Sequence, residues 1–175
     1  MAETLKKIIE YLNKNDLDKA YELCEKNSEK KIENLILNIK GVILFKQIKL
    51  KSAKIEFLKS IELEKNFIDP YKNLFKVYLK TKDFQSAIDI GKKIIEIEGK
   101  KNPLSYFNLA LAHDLNKDYL IAIKLYQIVE TLNFKDKKIL FNNLAKCFLS
   151  AQNINEAKKY YLKALEFDQN DKFVI

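Results

Sequence analysis

The stretch YFNLA at residues 106–110 has a near copy 35 residues earlier, YKNLF from Tyr71, and another 35 residues later, FNNLA from Phe141. An aromatic residue, any residue, Asn, Leu and a small or apolar residue are thus written three times on one ruler. A second column extends the ruler over the whole chain. Alanines stand at Ala20, Ala53, Ala87, Ala122 and Ala157, with spacings of 33, 34, 35 and 35 residues, each three residues after an apolar position. A period in this range marks a solenoid of helix pairs, and it takes precedence over any whole-fold guess.

Composition agrees. The chain has 175 residues, 47% of them hydrophobic, with only three Gly and two Pro. So few breakers argue against sandwiches and barrels and for helices joined by short polar loops. The charged fraction of 32% suits amphipathic helices with solvated outer faces. With Ala at position 20 of each unit, the units span 1–33, 34–67, 68–102, 103–137 and 138–171, and 172–175 resembles the start of a further helix. Position 16 then holds Asp16, Lys49, Asp83, Asp118 and Asn153, four of them good helix N-caps, and position 17 holds Leu17, Leu50, Phe84, Tyr119 and Ile154. A second helix is predicted to open at each position 17. For the first helices of two units, Asp69 before Pro70 and Asn102 before Pro103 are predicted to be N-caps ahead of a first-turn proline.

Positions 4, 7, 8 and 11 lie on one helical stripe. It carries Tyr71, Leu74, Phe75 and Tyr78 in the third unit, Tyr106, Leu109, Ala110 and His113 in the fourth, and Phe141, Leu144, Ala145 and Phe148 in the fifth. The aromatic, Leu and small residues of the opening motif are therefore packing residues. Its Asn lies off that stripe.

With these columns in place the chain resembles the tetratricopeptide repeat family, whose pattern has a large residue at 4, Leu at 7, a small residue at 8, an aromatic at 11, Ala at 20, an aromatic at 24 and a small residue at 27. The fifth unit follows it with Phe141, Leu144, Ala145, Phe148, Ala157, Tyr161 and Ala164. The resemblance runs from Met1 to about Asp171 and weakens toward the first unit. Departures are the absence of Trp at position 4, Gly91 at position 24 of the third unit, Gln169 where Pro is common, and Lys7 and Lys40 in the Leu column. The resemblance implies an all-α, right-handed superhelical solenoid of antiparallel helix pairs, in which successive pairs share a core that none could bury alone.

It also implies a concave surface lined by the first helices at positions 2, 5, 6, 9 and 12 or 13. The first two units place Leu5, Ile9, Leu12, Val42 and Phe45 there; the last three place Lys72, Asn73, Lys76, Phe107, Asn108, Leu111, Ile139, Asn142, Asn143 and Lys146. Asn73, Asn108 and Asn143 share position 6 and are expected to form a row. A carboxamide both donates and accepts, so such a row suits the backbone of an extended peptide, and the neighbouring lysines favour an acidic one. Lys72 and Asn108 fall at columns of the carboxylate clamp of co-chaperone repeats, but Lys76, Ile139 and Asn143 depart from that pattern.

Other classes fare worse. The formal net charge is +8 and all 32 basic residues are Lys. Without the planar guanidinium fork, specific nucleic-acid recognition is not expected, which leaves weak, salt-sensitive polyanion binding as an alternative. No phosphate loop, Ser/His/Asp set or metal-ligand spacing occurs, so neither catalysis nor a cofactor nor a metal is expected. The lone His113 and the thiols Cys24 and Cys147 fall at packing columns. The two cysteines suit a reducing compartment, hence a cytoplasmic protein, or an envelope-facing one if the chain is an excised domain. No membrane span is expected. The predicted function is a protein-interaction scaffold that grips an extended peptide. An assembly factor of a secretion or cell-envelope complex working through its ends and convex face is the alternative, with self-association through the uncapped C-terminal end. The repeat frame has a direct test. Replacing Ala122 by Leu overpacks a helix contact, and a melting temperature lowered by a loss of about 1–3 kcal/mol is expected.

Overall fold

The computed structural model describes residues 2–27 and 29–170. Among these there are ten α-helices, one 3₁₀ turn at Lys30–Ile32, and no strand. The chain divides into two compact units, Met1–Lys82 and Asp83–Ile175. The first contains α1 (Ala2–Asn13), α2 (Leu17–Glu25), α3 (Glu33–Lys46), α4 (Leu50–Leu63) and α5 (Ile68–Lys80). The second contains α6 (Phe84–Glu98), α7 (Pro103–Leu115), α8 (Tyr119–Thr131), α9 (Lys137–Ser150) and α10 (Ile154–Asn170). The stub at 172–175, and with it the uncapped end proposed for self-association, lies outside the described residues.

All five second helices open at the predicted residue. Each follows a three-residue turn whose middle residue is left-handed: Asn15 (φ 58°), Ile48 (62°), Lys82 (59°), Lys117 (67°) and Gln152 (62°). That geometry lets two amides reach back to the last turn of the preceding helix. In the first turn Asn15 N–H donates to Leu12 O (3.1 Å) and Asp16 N–H to Tyr11 O (2.9 Å). The second pairing recurs from Lys49 to Leu44, Asp118 to His113 and Asn153 to Phe148. Carbonyls that a helix end leaves open are satisfied this way, usually with glycine at the left-handed site. Here no glycine occupies it.

The caps follow the sequence at most sites. Asp16 accepts from Lys19 N–H (3.2 Å), Asp83 from Ser86 N–H (3.2 Å) and Asn153 from Glu156 N–H (3.3 Å). Asn102 caps α7 through Leu104 N–H (3.0 Å), with Pro103 at the first helical position. Two expectations fail. Asp118 makes no side-chain cap bond, because its carboxylate is taken by His113 Nδ1 (3.0 Å) and Asn116 Nδ2 (2.8 Å). Asp69 does not cap α5 either: the helix starts one residue before it, with Phe67 as cap residue and Pro70 inside the first turn, where no backbone N–H has an intrahelical partner to lose.

The position-20 alanines are all buried. In the first unit Gly41, at position 8, faces the fully buried Phe57, at position 24. A β-carbon on Gly41 would lie 2.5 Å from the Phe57 ring. Ile8, Ala20, Cys24, Ile32, Ile36 and Ile43 form one core cluster there. Lys40, in the Leu column, is half-buried beside them and held by charge: it pairs with Glu25, stands 3.7 Å from Glu56 Oε2 and lies over the Tyr21 ring at 5.5 Å. Burial alone lowers its pKa, but the hydrogen bond to Glu25 and the two carboxylates raise it further, so the ammonium stays charged. The second unit has a larger core, including Phe107, Tyr126, Phe134, Leu140, Phe141, Leu144, Cys147 and Phe148.

Two substitutions separate the backbone demands. Gly41→Ala gains about 1 kcal/mol of helix propensity but drives a β-carbon into Phe57, so a net loss of roughly 1–2 kcal/mol is expected on denaturant unfolding. Ile48 is an exposed β-branched residue in a left-handed conformation, and Ile48→Gly is expected to stabilise by about 0.5–1 kcal/mol. The thiols report on each unit. Burial pushes the Cys24 thiol up to about 11 and raises that of Cys147 as well. In single-cysteine variants both are expected to react with a thiol reagent only through local opening. Cys24 should react at least about tenfold faster, because its core cluster is the smaller.

Candidate functional site

The expected inner-surface residues lie on the first helices of the pairs and are taken unit by unit. In the first unit, α3 and α5 are joined by a carboxamide pair. Asn73 Nδ2 donates to Asn38 Oδ1 (3.0 Å), and Asn73 Oδ1 accepts from Lys76 Nζ (3.3 Å). Asn38 is buried and was missed by the sequence reading. Its signal was available: it is the lone amide in the apolar middle of LILNIKGVIL and stands 35 residues before Asn73. Nearby, Lys80 Nζ lies 5.7 Å over the ring of Phe45. Leu5, Leu12, Val42 and Phe45 are half-buried and Ile9 is exposed, while Lys72 is half-buried and engaged. Asn73 thus keeps part of its hydrogen-bonding capacity and has the rest fixed by the fold.

In the second unit the expected set divides. Phe107 is not displayed: it is 9% exposed, stacked on Phe134 (4.8 Å, 14°) and tilted against Tyr126 (5.4 Å). Its large apolar surface is buried because the loop between α8 and α9 brings an aromatic partner to it. Asn143 is drawn inward too, donating from Nδ2 to the phenolic oxygen of Tyr126 at 3.3 Å. Tyr126 is fully buried; burial, then the charge of Asp114, raises its phenol far above the ordinary range. Burial first, and then the nearby charge of Asp114, raise the pKa of the Cys147 thiol as well. The Tyr126 phenol and the Cys147 thiol are thus buried groups held in their neutral forms, with the half-buried Asn143 on the phenol.

Asn108, Leu111 and Asn142 remain half-buried on α7 and α9, with Ile139 and Lys146 exposed. Among the described residues, neither Asn108 nor Asn142 makes a side-chain hydrogen bond to protein. Asn142 also borders a shallow cleft of about 310 Å³ with Lys138, Tyr161, Ala164 and Leu165. The three position-6 asparagines therefore differ: Asn73 is half committed to Asn38, Asn143 is committed to Tyr126, and Asn108 is unclaimed. His113 is a packing residue, buried and bonded to Asp118. Among the described residues no group of three or more His, Cys, Asp or Glu side chains is placed to hold a metal, and no helix is long and apolar enough to cross a membrane.

Comparison with known proteins agrees with this architecture. Residues 140–171 match the model of the tetratricopeptide repeat. No curated protein matches the sequence. Among solved structures the chain is similar to MamA from Desulfovibrio magneticus RS-1, residues 41 to the end, at 16% identity and a TM-score of 0.86, covering 97% of this chain and 95% of that one. It is similar also to a double mutant of MamA RS-1 (16% identity, TM-score 0.87, 97% and 95% covered) and to a further MamA crystal structure (21%, 0.83, 100% and 98%). At these identities the likeness is one of fold. The fifth repeat, residues 140–171, is thus a tetratricopeptide repeat, and the chain as a whole has the helix-pair fold of these structures, with the position-20 alanines buried in every repeat.

Proposed function

We propose that the protein is a non-enzymatic interaction scaffold that holds an extended segment of a partner protein against its first helices. The observation that carries this reading is the pair of carboxamides, Asn108 and Asn142, half-exposed and unclaimed by the protein beside Leu111 and Ile139. Each amide offers two donors and an acceptor, which suits the alternating N–H and C=O groups of a peptide backbone. Leu111 and Ile139 supply apolar contact, and the exposed ammonium of Lys146 favours an acidic segment. In the first unit Asn73, half committed to Asn38, and the exposed Lys76 offer part of the same chemistry on α5, beside the engaged Lys72.

Magnitudes divide the labour. Hydrogen bonds of about 0.5–1.5 kcal/mol net each do not reach the roughly 8 kcal/mol of micromolar binding. The apolar side chains and the lysines have to provide the rest. Asn143 plays a different part: it satisfies the buried Tyr126 phenol and steadies the wall from which Asn142 projects.

A second reading, assembly through larger surfaces, has its own support. The second unit exposes Leu115, Leu120, Ile121, Leu149 and Ile154 around its helix turns, next to a shallow cleft of about 390 Å³ bordered by Leu120, Ile121 and Ala151.

The test is affinity capture from native lysate with wild type and with Asn108→Ala/Asn142→Ala, followed by calorimetry with a peptide of the captured segment. Asn143 is left intact so that the core stays satisfied. The double variant is expected to keep its circular dichroism and weaken the peptide about tenfold or more. Equal binding by both proteins overturns the groove reading and moves the site to the turn surface.

A further inference from the structure

At one end of the second unit the loops that open α7 and α9 have an unbalanced composition. The first loop carries Lys100 and Lys101, the second carries Lys135, and Lys137 and Lys138 begin α9. Phe134, in the second loop, stacks on Phe107 in the first half of α7. That contact brings the two groups of lysines to the same end of the unit.

Among the described residues, the nearby acids leave three of them, Lys100, Lys101 and Lys135, without an ion pair. Glu98 accepts from Asn102 Nδ2 (2.9 Å) and from Ser105 Oγ, and Glu130 accepts from Tyr160 Oη (3.0 Å) and Lys163 Nζ (2.8 Å). Asp136 is the remaining exposed carboxylate of these two loops. Among the described residues, Lys100, Lys101 and Lys135 are exposed and make no ion pair. Beside them, in the first turns of α7 and α9, Leu104 is 53% and Ile139 51% exposed.

We propose that this edge rests on an anionic lipid surface. Ammonium groups on flexible stems, set next to exposed aliphatic side chains, match the two layers of such a surface: charged headgroups outside and the acyl boundary just beneath. A linear nucleic acid fits less well. The aromatic faces at this edge, Phe107 and Phe134, are stacked on each other and buried, so they offer no platform for bases, and no guanidinium is present. An acidic protein segment would satisfy the lysines but gives no reason for Leu104 to stand exposed among them. The edge shares Ile139 with the peptide site, but Lys100, Lys101, Lys135 and Leu104 lie outside that site, so variants at these four positions test the edge independently of the peptide site.

Sedimentation with vesicles tests it, comparing pure phosphatidylcholine with a mixture holding about 30% phosphatidylserine at roughly 0.1 M salt. Binding to the anionic vesicles only, declining as salt is raised, is expected. K100Q/K101Q/K135Q should weaken it by about fivefold per lysine, on the order of a hundredfold together. K92Q/K124Q/K158Q removes the same charge from exposed helix positions elsewhere in the unit and should leave binding as in the wild type. Leu104→Ser should weaken vesicle binding without changing binding to heparin. Absence of vesicle binding, equal loss in the two lysine variants, or tighter binding to single-stranded nucleic acid that ignores Leu104→Ser would each overturn the proposal; circular dichroism confirms that every variant is folded.

Discussion

Everything in the two units depends on how closely the helices of a pair can approach. At position 20 that contact is made within the units by Ala20, Ala53, Ala122 and Ala157, and each of these, like Ala87, is essentially without exposed surface. A small side chain lets the helix backbones come near enough for the flanking Leu and aromatic residues to interlock. Close approach in turn limits the connection, and every first helix is joined to its partner by a turn of three residues. Three residues reverse the chain only if one of them turns left-handed, and the middle one does so in all five turns. The protein accepts that conformation at Asn, Ile, Lys and Gln because the turn then returns two hydrogen bonds to the helix end.

The same tightness explains where polarity is tolerated inside. Lys40 in a Leu column survives because Glu25 and Glu56 reach it from α2 and α4, so that the ammonium links three helices. Glu56 Oε2 nonetheless has no hydrogen-bond partner of its own among the described residues. Removing one member of such a set leaves a buried charge, whereas an apolar replacement of the whole set need not destabilise. Asn38 and Asn73 satisfy each other in part, and Asn143 satisfies Tyr126. Amides in this wall therefore serve the fold first. Only those left over are available to a ligand, which is why Asn108 and Asn142 carry more weight in the functional reading than the row of three that the sequence suggests.

Much of the fold was legible in the sequence because its signals are periodic. A strict column of alanines and an apolar residue at position 17, with a capping residue type before it in four of the five repeats, located all five second helices to the residue. What periodicity does not encode was missed. The left-handed turn residues carry no glycine to announce them. Phe107 was placed on the inner surface by its column, but its stacking partner, Phe134, sits in an irregular loop outside any helical stripe. Asp118 looked like a cap and became a partner of His113, since one carboxylate cannot face the helix amides and the imidazole together. The α5 start was misplaced because a proline is compatible with more than the first helical position. In each case a tertiary neighbour decided between two locally acceptable choices.

The site was less legible than the fold for a related reason. Column membership assigns a direction to a side chain, whereas function depends on whether its polar atoms are already used. Within the second unit three surfaces now have distinct chemistry: amides and aliphatics on α7 and α9, bare apolar residues at the helix turns, and lysines with Leu104 at the opposite loops. A solenoid produces this separation naturally, because turns, loops and first-helix faces occur once per repeat at fixed positions. Substitutions at one kind of position need not disturb the others. The constraint that packs the core, an alanine every 33 to 35 residues, thus leaves three faces free to be specified independently.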